Sequence, residues 1–362
     1  MMDHFPEGKA VLYCEGAFGT PNGKTAHGLV RRTDRYGVLA VVDSMHAGKD
    51  AGTLLDGQPR GIPVYSTIRE SVERLSEKGE RVTHMVIGLA PDGGRLPPGA
   101  HNDVIKAIGL GLHIDSGLHD FLSEDPGIST LAAKKGITIR DIRKPPYIKD
   151  LHFFTGKIEE VSCLKIAVLG TDSAIGKRTT AWVLKDTLEA EGYSTELIGT
   201  GQTAWMQGVR FGIIMDSLIN DFVSGEIEHA IWRAWKETGS RVIVIEGQGS
   251  LMNPAYPGGF EILAAGRPDA VVLQHAPARK DYDGFPGYPV HPLEDQIRAI
   301  ELISGRPVVA ITLNHENMEK EEVPRVCAEI TRNMDLPACD VLLQGAGPVV
   351  DALRERIDGK PM

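Results

Sequence analysis

Leu164-Lys-Ile-Ala-Val-Leu-Gly-Thr-Asp-Ser-Ala-Ile-Gly-Lys-Arg-Thr-Thr180 decides the architecture of the chain. An apolar run ends at Gly170, a polar loop follows, and Gly176-Lys177 opens a segment in which Ala181, Leu184 and Leu188 share one helical face. A strand, a tight loop and a helix N-terminus together make an anion site. Backbone N–H groups point into the loop, the helix dipole adds partial positive charge, and a lysine supplies a full one. This is the P-loop arrangement, and its natural ligand is a chain of phosphates.

The stretch departs from the usual spacing in two places. Five residues, not the usual four, separate Gly170 from Gly176, so Thr171 stands where the first glycine is expected. Arg178 stands where a serine or threonine normally holds Mg²⁺. Thr179 and Thr180 follow, each rotated by about 100° from the residue before it. A guanidinium neutralises phosphate oxygens directly and in bidentate fashion, with less need of a metal. Phosphate binding is therefore assigned to Gly170, Thr171, Asp172, Ser173, Ala174, Gly176, Lys177, Arg178, Thr179 and Thr180. The plainer alternative is an ordinary glycine-containing turn between a strand and a helix.

A chain of 362 residues exceeds one typical domain, and two are expected. The net charge of −10 argues against a nucleic-acid binder, which would present a basic face. Cys14, Cys163, Cys327 and Cys339 are scattered without metal-like pairing, so neither a disulfide framework nor a zinc cluster is expected. No stretch approaches the ~18 apolar residues of a membrane span. The N-terminal Met1-Met-Asp-His-Phe-Pro6 lacks the charged and apolar regions of a signal peptide. A cytoplasmic protein is expected.

Residues 1–150 alternate short apolar runs with helical patterns, which predicts a Rossmann-like parallel sheet. The runs are Ala10–Cys14, Tyr36–Asp43, Val64–Tyr65, His84–Gly88, Leu112–Asp115 and Ile137–Arg140. Helices are expected from Ser66 (as N-cap) to Leu75, over 102–109 and over 118–122. Ligands of such sheets lie at the carboxyl ends of strands, which singles out Asp43-Ser44, the Asp92-Gly93-Gly94-Arg95 loop and Asp115-Ser116-Gly117. Cys14-Glu-Gly-Ala-Phe-Gly19 imitates the dinucleotide fingerprint poorly, so nicotinamide binding is not expected. Arg95, beside two glycines, is a candidate for gripping a carboxylate, against the simpler reading of a turn with an exposed arginine. His113, Asp115 and His119 do not follow a recognised ligand spacing, and helix capping or satisfied core polar groups explain them better than a metal.

Pro145-Pro146 and residues 147–161 read as a linker to a second domain over 151–362, a P-loop NTPase-like α/β unit. Beyond the P-loop helix, Ser194–Gly199 is a strand that leads into Thr200-Gly-Gln-Thr203. Arg241-Val-Ile-Val-Ile-Glu246-Gly-Gln-Gly-Ser250 is a second phosphate-site signal, since an acid at this strand end holds the metal or a water beside the phosphates in P-loop proteins. Strands are also expected over 269–274, 307–313 and 339–343, with helices starting near Ser217 or Glu226 and over 291–304, 317–334 and 348–357. The loops Gln274-His-Ala-Pro-Ala-Arg-Lys-Asp281 and Leu313-Asn-His-Glu-Asn317 emerge from strand ends as further ligand candidates.

Two motifs together, Gly170-Thr-Asp-Ser-Ala-Ile-Gly-Lys177 and Glu246-Gly-Gln-Gly249, resemble the dethiobiotin-synthetase branch of P-loop proteins. With Gly201-Gln-Thr203, Glu246-Gly-Gln-Gly-Ser-Leu251 and Gln274-His-Ala-Pro-Ala-Arg-Lys280 added, nearly the whole chain resembles another group. It is a two-domain family long labelled a domain of unknown function, whose assigned activity is that of DgcN-type D-glutamate N-acetyltransferases. The resemblance implies transfer of acetyl from acetyl-CoA, as co-substrate, to the amine of D-glutamate or a related amino acid. The P-loop would then hold the CoA phosphates without nucleotide hydrolysis, which suits Arg178 in the metal-holding position.

Under that reading a general base takes a proton from the acceptor ammonium, with Glu246 first and Asp172 and His275 behind it. Backbone N–H groups around Gly247-Gln248-Gly249 would stabilise the thioester oxyanion. Gln202, Gln248, Arg95, Arg210, Arg279 and Lys280 would bind the amino-acid substrate, the cations by pairing with its carboxylates. The main alternative is a Mg-ATP-dependent ligase or kinase of dethiobiotin-synthetase type, with Glu246 and Thr179 or Asp172 on Mg²⁺. A non-catalytic nucleotide- or CoA-sensing module is a third reading, less favoured because polar groups crowd the strand ends. Small-molecule partners are expected, without nucleic acid or membrane. The apolar run Phe211–Met215 and Trp205, Trp232 and Trp235 would serve a homo-oligomer interface or, as is more often the case for such residues, a core.

Overall fold

Short apolar runs, punctuated by Gly, Asp and Ser, become two separate all-parallel sheets in a computed structural model that describes residues 6–360. Met1–Phe5, most of the stretch read for a signal peptide, lies outside the described residues. The chain divides into two compact units, one holding the residues up to Pro145 together with Gln202–Val209, the other Pro146–Gly201 and everything from Arg210 on.

In the N-terminal unit the strands are β1 (Gly8–Tyr13), β2 (Tyr36–Val42), β3 (Val64–Tyr65), β4 (His84–Ile87), β5 (His113–Ser116) and β6 (Ile139–Asp141). Between them run α1 (Lys24–Arg31), α2 (Ala51–Asp56), α3 (Ile68–Glu77), α4 (Pro98–Gly109) and α5 (Pro126–Lys135). The strand order is β3-β2-β1-β4-β5-β6, the doubly wound order, with every pairing parallel. Central strands such as β4 are buried along their whole length, as a sheet covered by helices on both faces requires.

Some boundaries differ from expectation for local reasons. Thr67, not Ser66, caps α3, because its hydroxyl accepts from the Glu70 N–H while the Glu70 carboxylate reaches back to Ser66. The helix expected over 118–122 is displaced to α5, which Asp125 caps and Pro126 opens.

The strand-end acids of this unit turn inward. Asp43, fully buried, accepts from the N–H groups of Gly16, Phe18 and Met45 and pairs with His46, so it locks the turn after β1. Asp115 accepts both arms of Arg140, at 2.5 and 2.6 Å, and the Tyr36 hydroxyl at 2.6 Å. His113 accepts from the Thr138 N–H. Asp43 and Asp115 are thus engaged in holding the turn after β1 and the Arg140–Tyr36 cluster.

In the second unit the strands are β7 (Leu164–Gly170), β8 (Thr195–Gly199), β9 (Phe211–Gly212), β10 (Val242–Glu246), β11 (Ala270–His275), β12 (Val308–Leu313) and β13 (Ala338–Cys339). The helices are α6 (Lys177–Ala190), α7 (Gln202–Met206, which belongs to the other unit), α8 (Asn220–Thr238), α9 (Phe260–Gly266), α10 (Leu293–Ser304), α11 (Val323–Met334) and α12 (Gly347–Asp358). The order β13-β12-β11-β7-β10-β8-β9 puts β7 at the centre, between β11 and β10. All seven residues of β7 are buried. The strand expected over 339–343 stops at Cys339, because the Asp340 carboxylate captures the N–H groups of Leu342 and Leu343 and turns the chain.

The domain division also differs from the expected one at residue 150. The cut falls after Pro145, and Gln202–Val209 leaves the P-loop half for the N-terminal unit. Met206 is fully buried in the N-terminal core and Trp205 packs against it. Trp232 and Trp235 pack against the core of the second unit instead. Among the described residues no helix is long and apolar enough to cross a membrane.

Candidate functional site

The turn after β7 takes the shape of an anion loop because of two residues with positive φ. Gly176 (φ 98°) lies immediately before α6, and Ala174 (φ 51°) adopts the left-handed region without being glycine. Strained backbone of this kind persists only where the surroundings over-determine it. Here the surroundings do so through one carboxylate.

Asp172, 1% exposed, accepts four hydrogen bonds. Its Oδ1 takes the Ser173 N–H and the Asn253 amide, both at 2.7 Å. Its Oδ2 takes Arg279 Nη1 and the Asp283 N–H, both at 2.8 Å. The Ser173 hydroxyl donates to Asp283 at 2.8 Å, and Arg279 also donates to the Ser173 carbonyl at 2.8 Å. Asp172 is therefore held as a structural clasp by four donors, which makes it a poorer candidate for the general base or a metal ligand than its place in the loop suggested.

Arg279 is likewise a poorer candidate for a substrate contact. Its guanidinium bridges Asp172 to Glu316, which it grips in bidentate fashion at 2.6 and 2.8 Å. Arg210 is not brought to the loop: it pairs with Glu237 at 2.7 Å, in the last turn of α8, near the start of β10 and so opposite its Glu246 end. Lys280 is exposed. Arg95, exposed in the turn after β4, and Gln202, packed near Gly117, belong to the N-terminal unit.

The hydroxyls of the loop are engaged as well. Thr180 and Thr312 both donate to Gln274 Oε1 at 2.5 Å, a buried knot between α6, β11 and β12. Thr171 donates its N–H to the Gln274 carbonyl at 2.9 Å, and its hydroxyl is hydrogen-bonded to His275 Nδ1 at 3.0 Å. Burial pushes the His275 pKa down to about 4, so this ring is neutral at pH 7 and a weak base. With its Nδ1 engaged by the Thr171 hydroxyl and its basicity lowered by burial, His275 is a poorer candidate for the base than Glu246. Asn314 reaches over from β12 and donates to the Ile175 carbonyl at 3.1 Å. Thr179 is half-buried on the same first turn.

Three charged groups remain gathered at the mouth of the loop. Lys177 is 7% exposed and donates Nζ to the Asp172 carbonyl at 2.7 Å. Burial lowers its pKa to about 8, opposed by the pull of Asp172 and Glu246. Glu246, 5% exposed at the end of β10, accepts the Thr200 N–H on Oε2 at 3.0 Å. Burial raises its pKa, and the nearby Arg178, the Thr200 N–H and Lys177 pull it back. Arg178, directly after Lys177, is near enough for its charge to favour the ionised form of the strand-end acid, and it stands where a metal-holding hydroxyl would.

The Lys177 shift has a sign that can be tested. An anion needs the charged ammonium, so affinity falls as pH rises through about 8. An anion bound in the loop also raises the lysine pKa, so binding near pH 8 takes up protons. Titration calorimetry of inorganic pyrophosphate in two buffers with different ionisation enthalpies reads this uptake. A binding enthalpy independent of buffer would mean that Lys177 is fully charged beforehand.

The Gly247-Gln248-Gly249 turn is shaped by backbone contacts. A Cβ on Gly247 would lie 2.4 Å from the Val168 carbonyl oxygen, so only glycine fits beside β7. The Gly247 N–H donates to that carbonyl at 3.0 Å, which removes it from the expected oxyanion donors. The Gln248 side chain donates to the Thr200 carbonyl at 2.8 Å and fixes the partner of Glu246 rather than a substrate. Gly247→Ala is expected to cost about 1–3 kcal/mol by overpacking. A thermal melt together with turnover of the surviving folded fraction checks this, and an unshifted melt would contradict it.

Sequence reasoning missed Asn253, Asp283 and Thr200, which lie in turns without a motif of their own. Gln274, Asn314 and Glu316 lay in loops singled out as ligand candidates, yet they act on the P-loop itself.

Residues 152–350 match a family model described as a domain of unknown function, the DUF1611_C P-loop domain. Residues 44–145 match its companion, the DUF1611_N Rossmann-like domain. The chain is 32% identical over 279 residues to a D-glutamate N-acetyltransferase of Tritonibacter scottomollicae, covering 74% of this chain and 80% of that protein. It is 30% identical over 272 residues to a D-glutamate N-acetyltransferase of a Pseudoalteromonas species, covering 73% and 79%. The crystal structure of a DUF1611 family protein from Anabaena variabilis matches with a TM-score of 0.88 at 27% identity, over 96% of this chain and all of that one.

Proposed function

The chain belongs to the DUF1611 family of DgcN-type proteins, and we propose that it is an N-acetyltransferase that moves acetyl from acetyl-CoA to the amine of D-glutamate. The name carried by two relatives over most of the chain supports this reaction class. The observation that carries the assignment of the loop to CoA is Arg178 beside Glu246. In a Mg-nucleotide enzyme these two positions hold the metal from opposite sides. Here one of them is a cation, which repels Mg²⁺ and neutralises phosphate directly, while the Asp172 carboxylate is already engaged. The donor set fits a pyrophosphate held by protein charge better than Mg-ATP.

In this reading Lys177, Arg178 and the first-turn N–H groups of α6 hold the CoA phosphates. Glu246 takes a proton from the acceptor ammonium, and its raised pKa makes it a stronger base than an exposed carboxylate. The free amine forms a C–N bond to the thioester carbonyl carbon. The C–S bond then breaks, the nitrogen gives up its second proton to the departing thiolate, and CoA and the N-acetyl amino acid result, while Glu246 passes the proton it took from the ammonium to solvent. Gln248 and Gly249 provide the remaining backbone N–H groups of the turn for the oxyanion.

Lys177→Ala tests the phosphate role. Loss of a buried charged hydrogen-bond donor is expected to weaken acetyl-CoA binding by about 10–100-fold, measured calorimetrically in EDTA. Binding of unchanged strength, or binding of ATP that requires Mg²⁺ without any acetyl-CoA signal, would move the protein to the ligase or kinase class.

A further inference from the structure

A small cavity lies beside the P-loop, wholly within the second unit. Leu169 and Gly170 at the end of β7, Gln248, Gly249 and Leu251 of the turn after β10, and Ile300 of α10 are among the residues of its walls. It has room for about one group the size of a water molecule. Gly170 is also the first residue of the anion loop, and Gln248 and Gly249 supply the backbone N–H groups proposed for the oxyanion. A carbonyl oxygen held by such groups keeps the methyl of its acetyl within about 5 Å of them. The cavity lies within that reach.

Its walls are held firmly. The stretch from Gln248 to Gly258 folds back on itself, with the Ser250 N–H donating to the Tyr256 carbonyl and the Gly258 N–H to the Ser250 carbonyl, both at 3.1 Å. The two sides approach so closely that a Cβ on Gly249 would collide with the Tyr256 carbonyl oxygen, and one on Gly258 with that of Gln248. At the far end of the fold Asn253, 1% exposed, accepts the N–H groups of Ala255 and Tyr256 and donates its amide to Asp172. The clasp that shapes the anion loop therefore also holds this wall. Ile300 closes the cavity from α10 as part of the buried core of the unit. Close-packed walls of this kind yield little to an added methylene.

We propose that this cavity is the acyl pocket of the reaction: it receives the methyl of the acetyl thioester, and Ile300 restricts transfer to the shortest acyl chain. The inference rests on the proposed acetyl transfer. Leu169, Leu251 and Ile300 give the methyl an apolar surround, and a longer chain has no room among them. The competing occupant is an ordered water on the buried Ser250 hydroxyl, which also belongs to the wall.

The test compares acetyl-CoA with propionyl-CoA as donors to D-glutamate, in the full-length parent and in Ile300→Val and Met252→Ala. Ile300→Val removes one methylene from the wall. Met252, another wall residue, is half-buried, so its truncation spares the core. The parent is expected to favour acetyl-CoA by about 10–200-fold in kcat/KM, the usual worth of one methylene in a fitted pocket. Either variant is expected to improve propionyl-CoA relative to acetyl-CoA by about tenfold, a ratio that does not depend on the folded fraction. Calorimetric dissociation constants of the two donors, taken without acceptor, read the same preference independently of turnover. A change of preference by either measure in either variant supports the pocket. A parent that binds and uses both donors within twofold, or variants that both keep the parental preference, would overturn it and leave the cavity to a water. If neither donor releases CoA thiol, acetyl transfer itself falls and the acyl pocket with it; equal release from both removes the pocket alone.

Discussion

Glu246→Gln leaves a folded protein that binds acetyl-CoA and turns over about 10²–10⁴-fold more slowly, the usual worth of a positioned general base. The substitution keeps the size of the side chain and an oxygen to accept the Thr200 N–H, so the link between β10 and the turn after β8 survives. What it removes is, among the described residues at the end of β10 and the P-loop, the carboxylate that accepts the fewest hydrogen bonds and so the best-suited proton acceptor. Asp172 carries four donors, and His275 is a neutral ring whose pKa burial has pushed down to about 4. Loss of the negative charge beside Arg178 and Lys177 leaves more positive potential for phosphates, so acetyl-CoA affinity is expected to hold or rise slightly. Separate measurement of kcat and of the dissociation constant checks the split. A kcat within twofold of the parent would remove Glu246 from the mechanism.

Asp172→Ala has the second large effect, and it is one of stability. The carboxylate compensates Arg279, satisfies two backbone N–H groups and holds the Asn253 amide, all out of water. Breaking a buried charge pair from one side costs about 3–5 kcal/mol, because the partner stays buried without its counter-charge. Glu316 still holds Arg279, which places the expected loss at the lower end of that range. The left-handed backbone at Ala174 depends on the same clasp, so the loop should open and acetyl-CoA binding should fall along with the melting temperature. Calorimetric melts with and without acetyl-CoA distinguish this from a local effect. A stability loss below about 1 kcal/mol would show that the loop keeps its form without Asp172.

The parallel strands and the anion loop were legible in the sequence because they are local. A buried strand is a continuous apolar run, and Gly176-Lys177 before an amphipathic helix carries its own signal. What the sequence did not disclose is which polar residues are consumed internally. Asp172, Arg279 and Asp43 have the composition of ligand groups, and only their partners, contributed by turns far along the chain, reveal them as clasps. The same distance hid the partner of Glu246, since Thr200 lies 46 positions before it in the chain. The allotment of Gln202–Val209 to the N-terminal unit was equally invisible, because Arg35 reaches Trp205 and Gln207 reaches Gly28 only in the fold. Element ends were misread where a side chain captured backbone groups, as Asp340 does after β13.

The central claim is that this loop serves acetyl transfer rather than nucleotide chemistry. It is tested most directly by release of free CoA thiol from acetyl-CoA, followed continuously in EDTA with D-glutamate as acceptor. The account predicts thiol release that requires D-glutamate, matches the N-acetylglutamate formed mole for mole, is unaffected by EDTA and collapses in Glu246→Gln. Absence of thiol release with D- or L-amino acids, alongside Mg²⁺-dependent conversion of ATP to ADP, would contradict it.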